Sequence, residues 1–128
     1  KLVANKKNIK FSFNSYFPIK TVNFMRGAII AKDNNYEKIY IEKIFDSIWR
    51  DGLNMNDNII INKVLKNLDL NPGIFFGKVS DIKIKDKLKK LTNDALKKGI
   101  FGAPTFVSNN KLFWGQDRIE FVLKEASK

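Results

Sequence analysis

Apolar positions along the first hundred residues recur at three- and four-residue intervals, the spacing that lines one face of an α-helix. Val22, Met25, Ala28 and Ile29 form the first such set, closed by Asp33-Asn34-Asn35. Pro18 precedes it at a point read as the first helical turn, where no intrahelical N–H bond is lost to proline. Ile41, Ile44, Phe45 and Ile48, with Trp49 beside them, predict a second helix over 36–50 that Asp51-Gly52 stops. Ile61, Val64, Leu65 and Leu68 predict a third, capped by Asn56 or Asp57. Asn71-Pro72 opens a short helix through Phe75 and Phe76. Ser80 reads as the cap of a long helix with Ile84, Leu88, Leu91 and Ala95 in line. Lys97, Lys98 and Gly99 close it, the basic residues suiting the negative end of the helix dipole. Ahead of all these, residues 1–16 read as irregular or extended, with Phe11, Phe13, Tyr16 and Phe17 as hydrophobic anchors.

After Gly99 the period changes. Thr105 to Val107 and Leu112 to Trp114 read as short strands around the polar turn Ser108-Asn109-Asn110. A last helix from about Gln116 carries Ile119, Val122, Leu123 and Ala126 on one face. Two strands alone are marginal, and their open edges invite pairing. No upstream segment reads as a central strand, so companion strands are expected before Lys1. There is no repeat, linker or low-complexity tract.

Composition narrows the function classes. A hydrophobic fraction of 44% over 128 residues supports a core, and no run approaches the length needed to span a bilayer. A cytoplasmic protein is the default expectation, with no membrane partner. Cysteine and histidine are both absent. A Cys-x-x-Cys centre, a cysteine nucleophile, a Ser-His-Asp triad and the usual zinc ligands are therefore excluded within these residues, and no metal is expected. The net charge of +11 raises nucleic-acid binding, but arginine, the residue suited to bidentate phosphate and base contacts, appears only at 26, 50 and 118. The expectation is no nucleic-acid partner, with a basic non-catalytic interaction module kept as the alternative of another class.

Two stretches carry candidate chemistry. In Phe101-Gly102-Ala103-Pro104-Thr105 a proline stands directly before a strand. A cis Ala103–Pro104 bond would turn the Ala103 backbone outward to pair with an extended peptide-like ligand. An ordinary trans proline fits the same residues and is the commoner state, cis making up only about 5–6% of X-Pro bonds. In Gly115-Gln116-Asp117-Arg118, Gly115 reads as a helix N-cap with Gln116 and Asp117 in the first turn. Free N–H groups there attract a carboxylate, and Asp117 could accept from an ammonium group. Routine capping by a first-turn acid explains the same residues and is the commoner reason for them.

Gly99-Ile-Phe-Gly-Ala-Pro-Thr-Phe106 followed by Leu112-Phe-Trp-Gly-Gln-Asp-Arg118 closely resembles the C-terminal signature of 2-hydroxychromene-2-carboxylate isomerases. These belong to the DsbA-like thioredoxin superfamily and are relatives of kappa-class glutathione transferases. Tyr16-Phe17-Pro18 with Met25-Arg26, and Phe45-Asp46-Ser47-Ile48-Trp49, resemble earlier segments of the same family. The implied fold class is α/β, mostly helical in these residues. It is an incomplete thioredoxin-like fold with an inserted α-helical subdomain, its N-terminal βαβ part missing. The implied domains are 1–98, loop and helical subdomain, and 99–128, hairpin and closing helix.

The resemblance implies a glutathione-dependent isomerase acting on an aromatic-pathway carboxylate, with glutathione as cofactor and a homodimer admitted. The same fold used as a kappa-like transferase or a DsbA-like disulfide oxidoreductase is the nearer alternative. Glutathione would fall to Ala103 and Pro104 at the cysteinyl part, and to Trp114, Gly115, Gln116 and Asp117 at the γ-glutamyl end. Trp114 reads equally as a core aromatic, and Arg118 as support for the helix start. The family often carries Asn or Arg two residues after the Phe-Pro pair, where this chain has Lys20. Lys20 is assigned to a substrate carboxylate, against the plainer reading of an exposed helix lysine. The family's reactive serine lies in a region before these residues. Ser12 and Ser15 lack the strand-to-helix turn that would make either a substitute, so no catalytic residue is expected in the chain.

Overall fold

A computed structural model describes residues 2–128. Helices dominate: α1 (Leu2–Lys6), α2 (Val22–Asp33), α3 (Glu37–Phe45) running into a π-helical turn (Asp46–Arg50), α4 (Asn58–Lys66), α5 (Pro72–Ser80) and α6 (Ile82–Lys97). The hairpin strands β1 (Thr105–Ser108) and β2 (Lys111–Trp114) follow, then a 3-10 turn (Gln116–Arg118) and α7 (Ile119–Ala126). The chain divides into two units, one running to Leu88 and the other spanning Lys89–Lys128, so α6 belongs to both.

The first unit is built around Tyr40, Met55, Leu65 and Val79, all at most 1% exposed, with Phe24, Ile30, Ile44, Ile48, Ile61, Val64 and Phe75 packed about them. Burial keeps the Tyr40 phenol protonated by raising its pKa, and its hydroxyl donates to the Phe24 carbonyl at 3.1 Å. Two caps form as the sequence predicts. Asp57 accepts from the Ile59 amide at 2.8 Å, and Asn71 accepts from the Ile74 amide at 3.1 Å ahead of Pro72.

Other expectations are corrected. α2 buries Phe24, Gly27, Ile29, Ile30 and Ala31, while Val22 and Met25 of the expected face are each 53% exposed. Pro18 lies outside α2, in a cis peptide with Phe17. α3 and the π-helical turn bury Tyr40, Ile44, Ser47 and Ile48, leaving Phe45 61% exposed. Ser80 ends α5; it is the Asp81 carboxylate that accepts from the Lys83 amide, at 2.7 Å, to start α6. Leu2–Lys6, expected irregular, forms a short helix.

In the second unit the hairpin pairs Thr105 with Trp114, Phe106 with Phe113, Val107 with Leu112 and Ser108 with Lys111. Asn109 and Asn110 both take positive φ (47° and 60°), the conformation of a two-residue hairpin turn matched to strand twist. α7 opens through a 3-10 turn rather than as one helix from Gln116. Among the described residues of this unit no hydrophobic side chain is buried.

Candidate functional site

The two stretches singled out in the sequence meet at the open end of the hairpin. The Ala103–Pro104 peptide is cis. Directly after it β1 pairs with β2, and the Gly115 amide donates to the Pro104 carbonyl at 2.9 Å, one step beyond the Thr105–Trp114 pair. The Thr105 hydroxyl donates to the Gly102 carbonyl at 2.5 Å, tightening the bend that leads into the strand. Ala103 and Pro104 are exposed, and the Ala103 backbone has no hydrogen-bond partner among the described residues.

Gly115 takes φ +105°, a region that favours glycine, and an added Cβ would collide with the Asp117 carboxylate. The chain therefore turns sharply into the 3-10 segment, with the Asp117 side chain folded back over the glycine. The Gln116 and Asp117 amides have no acceptor among the described residues. Asp117 stays 67% exposed, with the Arg118 guanidinium 3.7 Å away, and Arg118 itself lies 5.8 Å over the Phe121 ring. Arg118 thus braces the start of α7.

Trp114 is 56% exposed and stands against Phe101, ring centres 5.2 Å apart. Gly102 makes room for it, since a Cβ there would lie 2.7 Å from the indole nitrogen. Sequence reading gave Gly102 no part in this; the Gly102–Trp114 approach becomes visible only once the register is known. A recess of about 280 Å³ opens beside these residues, lined by Leu112, Phe113, Trp114, Arg118 and Phe121. Of the expected glutathione residues only Trp114 borders it.

A family model for the DSBA-like thioredoxin domain matches residues 1–126. The chain belongs to that family. The 2-hydroxychromene-2-carboxylate isomerase of Sphingobium xenophagum is 22% identical to this DSBA-like domain over 119 residues, 93% of the chain and 60% of the relative. The isomerase of the same name from a Pseudomonas species is 25% identical over 87 residues, covering 68% of the chain and 41% of its own length. The chain thus spans about half the length of the curated relatives it matches. A solved structure of a 2-hydroxychromene-2-carboxylate isomerase superposes with a TM-score of 0.81 at 20% identity, over 97% of the chain and 60% of the isomerase. No helix among the described residues is long and apolar enough to cross a membrane.

Lys20 belongs to the other unit of this DSBA-like domain. Its exposed side chain has no ionic partner among the described residues, and it precedes α2 rather than lying on a helix. Its backbone amide donates to Asn56 Oδ1 at 2.9 Å. Ser12 lies in irregular chain and Ser15 in a turn, with no strand among the described residues ahead of them. The sequence reading missed Asn14, which is fully buried. Its amide donates to the carbonyls of Ile48 and Leu53, each at 2.9 Å, and its oxygen accepts from the Tyr16 amide at 2.8 Å. The signal available was an asparagine two residues before that amide, the spacing of a side-chain-closed turn.

Proposed function

We propose that this chain holds glutathione for an isomerase acting on a 2-hydroxychromene-2-carboxylate-like aromatic substrate. The observation that carries the reading is the hydrogen bond from Gly115 to Pro104, which sets the free Ala103 backbone beside the free amides and carboxylate of the Gln116–Asp117 turn. Glutathione has a cysteinyl amide unit in extended chain and, at its γ-glutamyl end, a carboxylate next to an ammonium group. Ala103 offers one N–H and one C=O to the amide unit, as a strand edge would. The Gln116 and Asp117 amides offer donors to the carboxylate, and the Asp117 side chain accepts from the ammonium group. Trp114 and Gly115 shape the wall between these positions. The names of the relatives supply the reaction class.

Held there, glutathione would supply a nucleophilic thiol able to add reversibly to an unsaturated substrate. This chain's residues contribute orientation, holding the peptide so that its sulfur is fixed relative to the substrate. Titration of glutathione into the protein by calorimetry tests the reading. Asp117→Ala is expected to weaken binding by about 1.5 kcal/mol, the lower end for a hydrogen bond to a charged group because the carboxylate remains largely solvated. An unchanged affinity would remove Asp117 from the site, and no binding by the unsubstituted protein would remove the cradle.

A further inference from the structure

The Ala103 backbone is left free between two peptide groups that are held. After it, the Pro104 carbonyl accepts from the Gly115 amide at 2.9 Å. Before it, the Gly102 carbonyl accepts from the Thr105 hydroxyl at 2.5 Å. Ala103 itself is exposed, and its backbone makes no hydrogen bond among the described residues.

The bend has no means of its own to keep this arrangement. Phe101, Gly102 and Ala103 lie outside any helix or strand, and glycine has the widest backbone freedom of all residues. An unrestrained bend would aim Ala103 in many directions, and a ligand would have to order it on binding. Two hairpin side chains supply the restraint. Thr105 in β1 is directly opposite Trp114 in β2, and opposed residues of an antiparallel pair project from one face of the sheet.

Thr105 is β-branched, with few side-chain rotamers to lose, and its hydroxyl reaches back three residues to Gly102. The bond is partly shielded from water, which strengthens it. Trp114 packs on the same bend, its ring 5.2 Å from that of Phe101. The indole also fills the space of a Gly102 side chain, since a Cβ there would lie 2.7 Å from its nitrogen and 3.4 Å from two of its carbons. Gly102 does not take a left-handed φ, so contact with Trp114 is what excludes a side chain.

We propose that Thr105 and Gly102 are positioning residues of the cradle, clamping the bend so that the unpaired Ala103 peptide is preset for an extended amide unit. The proposal takes its ligand from the glutathione reading, whereas the clamp is a property of the hairpin. Its test compares two variants of the whole chain: Thr105→Val keeps the shape and removes the hydroxyl, and Thr105→Ser keeps the hydroxyl. In calorimetric titration with glutathione, Thr105→Val is expected to bind about fivefold more weakly, the effect of one net hydrogen bond. Thr105→Ser should stay within about twofold of the parent, and Gly102→Ala should lose about fivefold or more. Backbone amide relaxation by NMR should show Ala103 ordered in the parent and in Thr105→Ser, and mobile in Thr105→Val. Parent affinity in Thr105→Val, or equal losses in the two Thr105 variants, overturns the proposal, and parent affinity in Gly102→Ala removes the glycine from it. A parent that binds no glutathione defeats the cradle instead. The clamp is then judged by relaxation, and an Ala103 amide as ordered in Thr105→Val as in the parent overturns it.

Discussion

Gly27 shows how one residue decides the packing of three helices. An added Cβ would land on the Tyr40 hydroxyl and within 2.7–2.8 Å of the Phe75 ring. Tyr40 cannot yield easily, because its hydroxyl is bound to the Phe24 carbonyl and its ring meets those of Tyr36 and Phe75. Alanine is the better helix former by about 1 kcal/mol, whereas overpacking a filled core costs about 1–3 kcal/mol. Gly27→Ala is therefore expected to destabilise the protein by ~1 kcal/mol net. Gly77, in α5 with nothing within 4 Å of its would-be Cβ, provides the control: alanine there should stabilise by up to about 1 kcal/mol. Urea-unfolding midpoints moving in opposite directions would bear this out; a Gly27→Ala midpoint at or above the parent's would refute it. Sequence periodicity could not reveal this, because a glycine adds nothing to a hydrophobic pattern. Scoring only large apolar residues selects Val22 and Met25, whereas the buried face turns about Gly27, where the neighbouring rings come close.

Elements were legible where their signal is local. The caps at Asp57 and Asn71 and the paired asparagines of the hairpin turn each act over two or three residues, and each appears as expected. The start of α6 failed because Ser80 and Asp81 are adjacent and both can cap; α5 simply extends through the serine. Within the candidate site the sequence motifs located Ala103–Pro104 and Gly115–Asp117. The Phe101–Gly102–Trp114 packing and the Asn14 tie depend on register and tertiary contact, which no spacing encodes.

The closing helix adds a device of the same hidden kind. Glu125 in α7 accepts from Lys111 in β2 at 2.9 Å and from Lys128 at 2.8 Å, while Asn109 of the turn donates to its carbonyl. The hydrogen bonds from Lys128 and Lys111 pull its carboxyl down from 4.5 to about 2. A lowered native pKa means that this clasp contributes fully above about pH 4.5 and is lost as pH falls towards 2. The Trp114 indole signal, followed by NMR on acidification, should report loosening of β2 in that window. Lys111→Met should move the transition to higher pH, and an unmoved transition would count against the clasp.

At the scale of the molecule the two units differ in what holds them. The first encloses a continuous cluster from Phe24 to Val79, whereas the second, among its described residues, buries the ion-paired Glu125 and no hydrophobic side chain. Opening free energy follows buried apolar contact, so hydrogen-exchange protection should be high in α2, α3, α4 and α5 and low in β1, β2 and α7. The proposed glutathione cradle therefore lies on the part of the chain that opens most readily. A ligand that binds only the closed form adds RT ln(1 + [L]/Kd) to its opening free energy, about 2.7 kcal/mol at a hundredfold excess over Kd. Saturating glutathione is accordingly expected to slow exchange in the hairpin and α7 by about a hundredfold and to leave the core amides of the first unit unchanged. Uniform protection without ligand would refute the division of stability, and ligand-induced slowing confined to the first unit would place glutathione elsewhere. Such coupling lets a weakly packed hairpin present an accurately placed backbone only when the peptide is there to hold it.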